Sequence, residues 1–247
     1  MKNFLSALFH RPQLPPADFS VLNADMHSHL IPGIDDGAQT LEDSLHLIRG
    51  LNELGYKKFI TTPHVISDHY RNTPEIILLG LKTVQDAVKR ENIPVEIHAA
   101  AEYYLDADFE KKIVAGELLT FGNHYVLVEI SFLNAPENFD RVLSLLFKYG
   151  HRMALAHAER YPFWYNLEKY KELKHKGVLL QVNINSLGGY YSGISKKIAE
   201  TLIDNEMVDL LGTDCHKTED IEKLKKCATL PYLHRVINSG RLLNGKL

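Results

Sequence analysis

Val21-Leu22-Asn23-Ala24-Asp25-Met26-His27-Ser28-His29 is the stretch on which the reading of this chain turns. A short apolar run ends on a His-x-His pair and opens into Gly33-Ile34-Asp35-Asp36-Gly37. In an extended strand residues two apart point to one face, so His27 and His29 can grip one ion together. Immediately downstream, Leu41, Leu45, Ile48, Leu51 and Leu54 recur at helical spacing, with Thr40 and Asp43 placed as a capping box and Gly55 as the stop.

That strand-then-helix unit repeats along the chain. Further strand-like runs cover Lys57 to Thr61, Val95 to Ala101, Tyr125 to Ile130, Arg152 to Ala156, Val178 to Val182 and Val208 to Gly212. Between them lie helical patterns. Thr73-Pro74 starts one carrying Ile77, Leu81, Val84 and Val88, and Pro136 starts another carrying Phe139, Val142 and Leu146. Leu167, Tyr170 and Leu173 precede Gly177, and Ile194, Ile198 and Leu202 precede the last strand. Alternation throughout, with no central linker, predicts an α/β chain whose parallel sheet closes into one barrel rather than two domains. Residues 21–247 form that domain in this reading. Residues 1–20 are an N-terminal extension or short surface helix, with a docking role as its candidate use.

Composition narrows the function. The 247 residues are 45% hydrophobic, enough for a large core, and carry a formal net charge of -3. With no long Lys/Arg block, neither nucleic acid nor an anionic membrane is a default partner. The apolar stretch Phe4 to Phe9 is too short to span a bilayer, so no integral membrane segment is expected. Thirteen histidines against two cysteines offer many nitrogen ligands and almost no thiolates. Cys215 and Cys227 cannot build a disulfide framework or a cysteine-rich zinc site, and a reducing cytoplasm fits.

Barrels of parallel strands carry their reactive groups at the C-terminal strand ends. Here the runs end on His27 and His29 with Asp36 in the loop beyond, then on His64, Glu102, Glu129, His157, and Asp214 with His216. Charged or imidazole groups after six of seven buried runs would be costly unless something neutralises them together, and a multinuclear metal site does so. Single members keep plainer readings: Glu129 as an interior carboxylate paired with an arginine, Asp36 as a cap for the helix after Gly37. His98 lies mid-strand and His124 at the opposite end of the sheet; His10, His46, His151, His175 and His234 read as helix, turn or surface residues, and His69 as a loop residue.

Taken together, His27-x-His29, Asp36, His64, Glu102, Glu129, His157 and Asp214-x-His216 resemble the polymerase-and-histidinol-phosphatase (PHP) superfamily. Asp25-Met26-His27-Ser28-His29, Gly33-Ile34-Asp35-Asp36-Gly37 and His157-Ala158-Glu159-Arg160-Tyr161 are similar to the bacterial manganese-dependent protein tyrosine phosphatases of capsule and exopolysaccharide loci. The resemblance implies a distorted (βα)7 TIM-like barrel of the PHP type with its metal site at the C-terminal face. It implies up to three divalent ions, manganese first, with Fe, Zn or Co also suited to imidazole plus carboxylate. The implied substrate is a phosphotyrosine-bearing protein, a membrane-associated bacterial tyrosine kinase. Carried over, one ion falls to His27, His29, Glu102 and Asp214; a second to Glu102, Glu129 and His157; a third to Asp36, His64 and His216. Two features depart from that pattern: the segment before Val21 is extra, and His64 to Arg71 lacks an Arg-Arg run found in some relatives.

Two divalent ions about 3.5–4 Å apart can share a water, lower its pKa towards about 7 and so supply a hydroxide nucleophile. Arg160 is the candidate cation for the phosphate because its planar fork suits two oxygens; an ion pair with Glu159 is its structural alternative. Arg71 is a second candidate, and Tyr161, in the aromatic cluster with Phe163, Trp164 and Tyr165, a candidate wall for the substrate ring, as are Tyr190 and Tyr191. His64 and Asp214 are the candidates for proton transfer to the leaving oxygen. A cysteine-dependent phosphatase is excluded, since six residues beyond Cys215 and Cys227 stand Ile221 and Leu233 rather than arginine. Rival readings are a small-molecule phosphatase acting on histidinol phosphate, a nuclease, and a noncatalytic metal-stabilised docking module.

Overall fold

The computed structural model describes residues 14–247, so the greater part of the expected extension or surface helix, residues 1–13, lies outside the described residues. In chain order the elements are β1 (Ala24–Asp25), α1 (Leu41–Glu53), β2 (Lys58–Thr61), β3 (His64–Val65), α2 (Pro74–Arg90), β4 (Glu96–Ala99) and β5 (Glu102–Tyr104). Then come α3 (Phe109–Ala115), β6 (Tyr125–Glu129), α4 (Phe139–Lys148), β7 (Arg152–Leu155), α5 (Leu167–His175) and β8 (Leu179–Asn183). The chain finishes with α6 (Ile184–Leu187), α7 (Gly193–Asp204), β9 (Leu210–Gly212), α8 (Thr218–Cys227) and α9 (Pro231–Ile237).

The strands pair in parallel in the orders β1-β2-β4 and β3-β5-β6-β7-β8-β9, and the sheet curls into a half-barrel with helices packed on its convex side. Thr62-Pro63 separates β2 from β3 and Ala100-Ala101 separates β4 from β5. Beyond β1 and β9 the chain pairs again: Asp214 N donates to His27 O at 2.8 Å and His29 N to Cys215 O at 3.0 Å.

Strand alternation sorts side chains between the two faces. On β6, Val126 and Val128 join the large core under the helices, while Leu127 faces the concave side. The concave cluster also holds Met26, Ile60, Ala100, Ala154, Ala156 and Leu210. Its small members let opposing strands approach closely. By the same parity Glu129 shares a face with Leu127, and Gln181 and Asn183 share one with Leu179.

α1 forms as its pattern predicts: Thr40 N donates to Asp43 Oδ2 at 2.9 Å and Asp43 N to Thr40 Oγ1 at 3.1 Å, closing the capping box, and Leu45, Ile48 and Leu51 are buried. The first strand is shorter than expected. Phe19–Leu22 is a 3-10 helix whose first turn is capped by Asp18, which accepts from Ser20 N at 2.8 Å. Asn23, at φ 61°, then turns the chain, so Val21 is left 58% exposed and pairing begins only at Ala24. α3 and α6 escape a reading by periodicity because seven and four residues are too few to display one. Among the described residues no helix is long and apolar enough to cross a membrane.

Gly212 marks how tight the concave face is: a Cβ there would stand 2.7 Å from both His27 Cβ and Gln181 Nε2. Gly212→Ala is expected to destabilise the fold by about 1–3 kcal/mol, read as a lower urea midpoint. Gly193→Ala, at the first residue of α7 with nothing within 4 Å of the added carbon, is the contrast and is expected to be neutral or mildly stabilising.

Candidate metal centre

Five imidazoles and four carboxylates converge where the strands end. Glu102 is at the middle, wholly buried. Its oxygens lie 3.0 Å from His157 Nε2, 3.1 Å from His64 Nδ1, 3.2 Å from His27 Nε2 and 3.5 Å from His29 Nε2. Asp214 Oδ1 lies 3.4 Å from His27 Nε2, 3.6 Å from His29 Nε2 and 3.5 Å from His216 Nδ1. Glu129 lies 3.5 Å from His157 Nε2 and 3.8 Å from His64 Nδ1, and Asp36 lies 3.5 Å from both His64 Nε2 and His216 Nε2. The plainer readings of two members are not what the structure holds. Glu129 has no arginine ion pair among the described residues, and the helix after Gly37, α1, is capped by Thr40, not Asp36.

Four of the imidazoles are each held at one ring nitrogen while the other faces carboxylate. His27 Nδ1 donates to Gln181 Oε1 at 2.9 Å and His29 Nδ1 to Asp35 Oδ2 at 2.8 Å. His157 Nδ1 lies 3.3 Å from the Tyr161 hydroxyl, and His216 Nδ1 donates to Asp214 O at 3.0 Å. Such contacts fix ring orientation and leave Nε2 as the outward-facing nitrogen, the arrangement that metal-ligating histidines use. Asp35 does this while also accepting from Gly37 N and His64 N.

The backbone is bent to deliver two of these groups. His157 and Asp214 sit at φ 30° and 51°, conformations that cost a side-chain-bearing residue about 1–3 kcal/mol. Each is clamped: Gln181 Oε1 accepts from His157 N at 2.8 Å, and His27 O accepts from Asp214 N. Asp214 Oδ2 is further held by Asn183 Nδ2 at 2.7 Å and the Tyr191 hydroxyl at 3.1 Å.

So many buried carboxylates need positive charge, and among the described residues the imidazole protons and Arg160 lie nearest to supply it. Burial opposes a charge on His27, yet Glu102 and Asp214 overcome that and push it up to about 10. His216 goes the same way, to about 10, burial being outweighed by Asp36 and Asp214. Burial drives His157 down to about 4. Glu129 is raised by burial and by the Glu102 and Asp214 charges, whereas Glu102 is held low by its imidazoles against the cost of burial. Two buried ring nitrogens, His29 Nε2 and His64 Nδ1, have no hydrogen-bond partner. An imidazole and carboxylate donor set with orphaned nitrogens is the chemistry that holds a divalent cation. Three overlapping groups have ligand atoms within 4.8 Å of one another: His29, Asp36, His64 and His216; His27, His29 and Asp214; and His64, Glu102 and Glu129. His64 thus reaches across two of the groupings that the family resemblance implies.

A cavity of about 390 Å³ opens beside this cluster, lined by Asp36, His64, Glu129, His157, Asp214 and His216 and also by Phe132, Arg160, Tyr191, Lys217, Asp220 and Lys223. Arg160 Nη1 lies 3.5 Å from Asp214 Oδ2, and its alternative partner Glu159 is buried elsewhere, accepting from Asn183 N and Ser186 Oγ. Two expectations require correction. Tyr161 is wholly buried, accepting from Ile130 N at 3.2 Å, so it backs His157 instead of facing a substrate. Arg71 does not line the cavity; its Nε donates to Ser67 O at 2.7 Å.

Asp35, Gln181, Asn183 and Phe132 escaped the sequence reading. Gln181 had a signal, as a polar residue inside an otherwise apolar run, and Asp35 adjoined a candidate ligand. Nothing about Phe132 in the sequence distinguishes it from a core aromatic.

Comparison with known proteins agrees with this geometry. Residues 23–239 match the family described as Capsular polysaccharide synthesis, CpsB/CapC. The tyrosine-protein phosphatase YwqE of Bacillus subtilis is 25% identical over 197 residues, covering 79% of this chain and 78% of YwqE. The tyrosine-protein phosphatase CpsB of Streptococcus agalactiae is 26% identical over 202 residues, covering 79% of this chain and 83% of CpsB. A crystal structure from the pair YwqE of Bacillus subtilis and CpsB of Streptococcus pneumoniae, described as unique metal-dependent tyrosine phosphatases, superposes with a TM-score of 0.77. It is 25% identical to this chain and covers 86% of each.

Asp35→Ala is expected to weaken divalent-metal affinity by about 10–100-fold, measured by titration calorimetry, because His29 loses the contact that orients it. The unfolding midpoint measured without metal should move far less than that of Gly212→Ala.

Proposed function

The chain belongs to the CpsB/CapC family of capsular polysaccharide synthesis, and on that premise we propose that it is a metal-dependent phosphatase that hydrolyses phosphotyrosine on a protein. The observation that supports the reading is the cavity itself: six imidazole and carboxylate side chains line it, His27, His29 and Glu102 pack against them, and Arg160 stands at its side. The substrate is an autophosphorylated, membrane-associated bacterial tyrosine kinase of capsule or exopolysaccharide synthesis, met in the cytoplasm. Residues 21–247 are read as one distorted (βα)7 TIM-like barrel with the metal face at the strand ends, and residues 1–20 as an extension to it. The interrupted pairs β2/β3 and β4/β5, counted as single strands, and the pairing of the chain beyond β1 with that beyond β9 support this count.

His27, His29, Glu102 and Asp214 would hold one ion, Glu102, Glu129 and His157 a second, and Asp36, His64 and His216 a third, with manganese first among Mn, Fe, Zn and Co. When bound, such ions supply positive charge to the phosphate dianion and a water of lowered pKa. Arg160 presents guanidinium N–H groups to phosphate oxygens in the same cavity. Gln181, Asp35 and Tyr161 keep His27, His29 and His157 aimed, so the floor of the site is preorganised before substrate arrives. His64 and Asp214 line the cavity and keep the role of moving a proton at the leaving oxygen; a phenolate needs less such help than an alkoxide.

In metal-supplemented assays a phosphotyrosyl peptide is expected to be turned over in strong preference to histidinol phosphate; the reverse preference would overturn the reading. His27→Ala and Asp214→Ala should lose bound metal together with turnover, whereas Arg160→Ala should retain metal and lose about 10²–10³-fold in kcat/KM.

A further inference from the structure

Arg160 does not reach into the cavity as a free cation. Its Cζ lies 4.5 Å from the centre of the Phe132 ring and 4.3 Å from that of Tyr191. Phe132 comes from the loop after β6 and Tyr191 from the loop between α6 and α7, beyond β8, on either side of the segment after β7 that carries Arg160. Neither ring is loose. Phe132 stacks on the buried Tyr161 at 5.7 Å and lies 5.4 Å from the His157 ring. The Tyr191 hydroxyl accepts from Asn183 Nδ2 at 3.3 Å and donates to Asp214 Oδ2.

We propose that Phe132 and Tyr191 are positioning residues that clamp the Arg160 guanidinium between their rings and present its edge to the cavity. Arg160 then grips phosphate oxygens through in-plane N–H groups, and its faces, already covered, are closed to the aromatic ring of the substrate. Rings in place of water over a guanidinium stabilise it electrostatically and remove the freedom that a long side chain would otherwise lose on binding. Tyr191 has a second role through the same phenol: its face steadies the phosphate-binding cation while its hydroxyl steadies a carboxylate of the metal cluster. The inference rests on the phosphatase reading for what Arg160 binds, but the clamp can be tested without turnover.

The experiment titrates inorganic phosphate into the metal-loaded protein by calorimetry, with bound metal quantified and kcat and KM on a phosphotyrosyl peptide measured beside it. Phe132→Ala should weaken phosphate binding by about 5–20-fold with metal content unchanged, and Phe132→Tyr should restore it. In an Arg160→Ala background the same Phe132→Ala change should alter phosphate affinity by less than about twofold, because the ring acts only through the arginine. Tyr191→Phe should leave phosphate affinity nearer wild type than Tyr191→Ala, and should lower metal retention where Phe132→Ala does not. An equal loss from Phe132→Ala with or without Arg160 would mean that the ring meets the ligand directly and would overturn the clamp, as would no loss in either. A non-additive cycle in a protein that fails to hydrolyse phosphotyrosine would uphold the clamp and overturn the phosphatase reading instead.

Discussion

A fully buried carboxylate surrounded by imidazoles governs this molecule. Glu102 has four histidine nitrogens within 3.5 Å and no water-exposed surface. A lone carboxylate in such a place would be too costly to keep charged, and a lone imidazole beside it would only repeat the problem with the opposite sign. The chain resolves this collectively by bringing a complementary group from the end of almost every strand. The parallel sheet serves that need directly, since parallel strands all end on the same rim and each rim position adjoins the next. Curling the sheet turns a row of such positions into a cluster, and the small residues Ala100, Ala154, Ala156 and Gly212 on the concave side let it curl tightly.

Most of that plan is written locally and is therefore legible in the sequence. Alternating strand and helix patterns, the Thr40–Asp43 capping box and the residue that follows each apolar run all depend on neighbours a few positions away. The ends of Lys58–Thr61 and Tyr125–Glu129 fall within one residue of where hydrophobicity puts them. The start of β1 does not, because Asn23 at a positive φ and the Asp18 cap convert Val21 and Leu22 into a 3-10 turn, an outcome of turn chemistry that hydrophobicity does not encode. Within the site, ligand types declare themselves by charge in an apolar setting, whereas the residues that aim them do not. Gln181 matters because its one carbonyl accepts from both His27 and His157, two strands brought together only by the fold. Tyr161 and Tyr191 are alike as letters, and their fates differ because one faces the core and the other the cavity.

The strained residues fit the same account. His157 and Asp214 are two of the groups around Glu102, and both adopt left-handed backbone angles that ordinary side chains avoid. The bend lets a strand deliver its last side chain back over the sheet rather than away from it. Gln181 and the His27 carbonyl fasten those bends, so the hydrogen bonds that orient the imidazoles also hold the backbone that carries them. Rigidity of the floor is thus built mainly at the rim of the sheet, with the loop that carries Asp35 adding the contact that aims His29.

The clamp on Arg160 lies outside that rigid floor, in loops that can change length and composition without disturbing a single strand. This division separates what the protein does from what it does it to. A lineage could replace Phe132, reshape the loop that carries it and so acquire taste for a differently shaped phosphate ester while inheriting the His, Asp and Glu cluster intact, whereas Tyr191 is tied to that cluster through its hydroxyl on Asp214. The converse drift is opposed, because a change at the rim of the sheet is felt through Glu102 by the four imidazoles packed around it. Descendants of such an ancestor would therefore be expected to keep one chemistry and diverge in clientele.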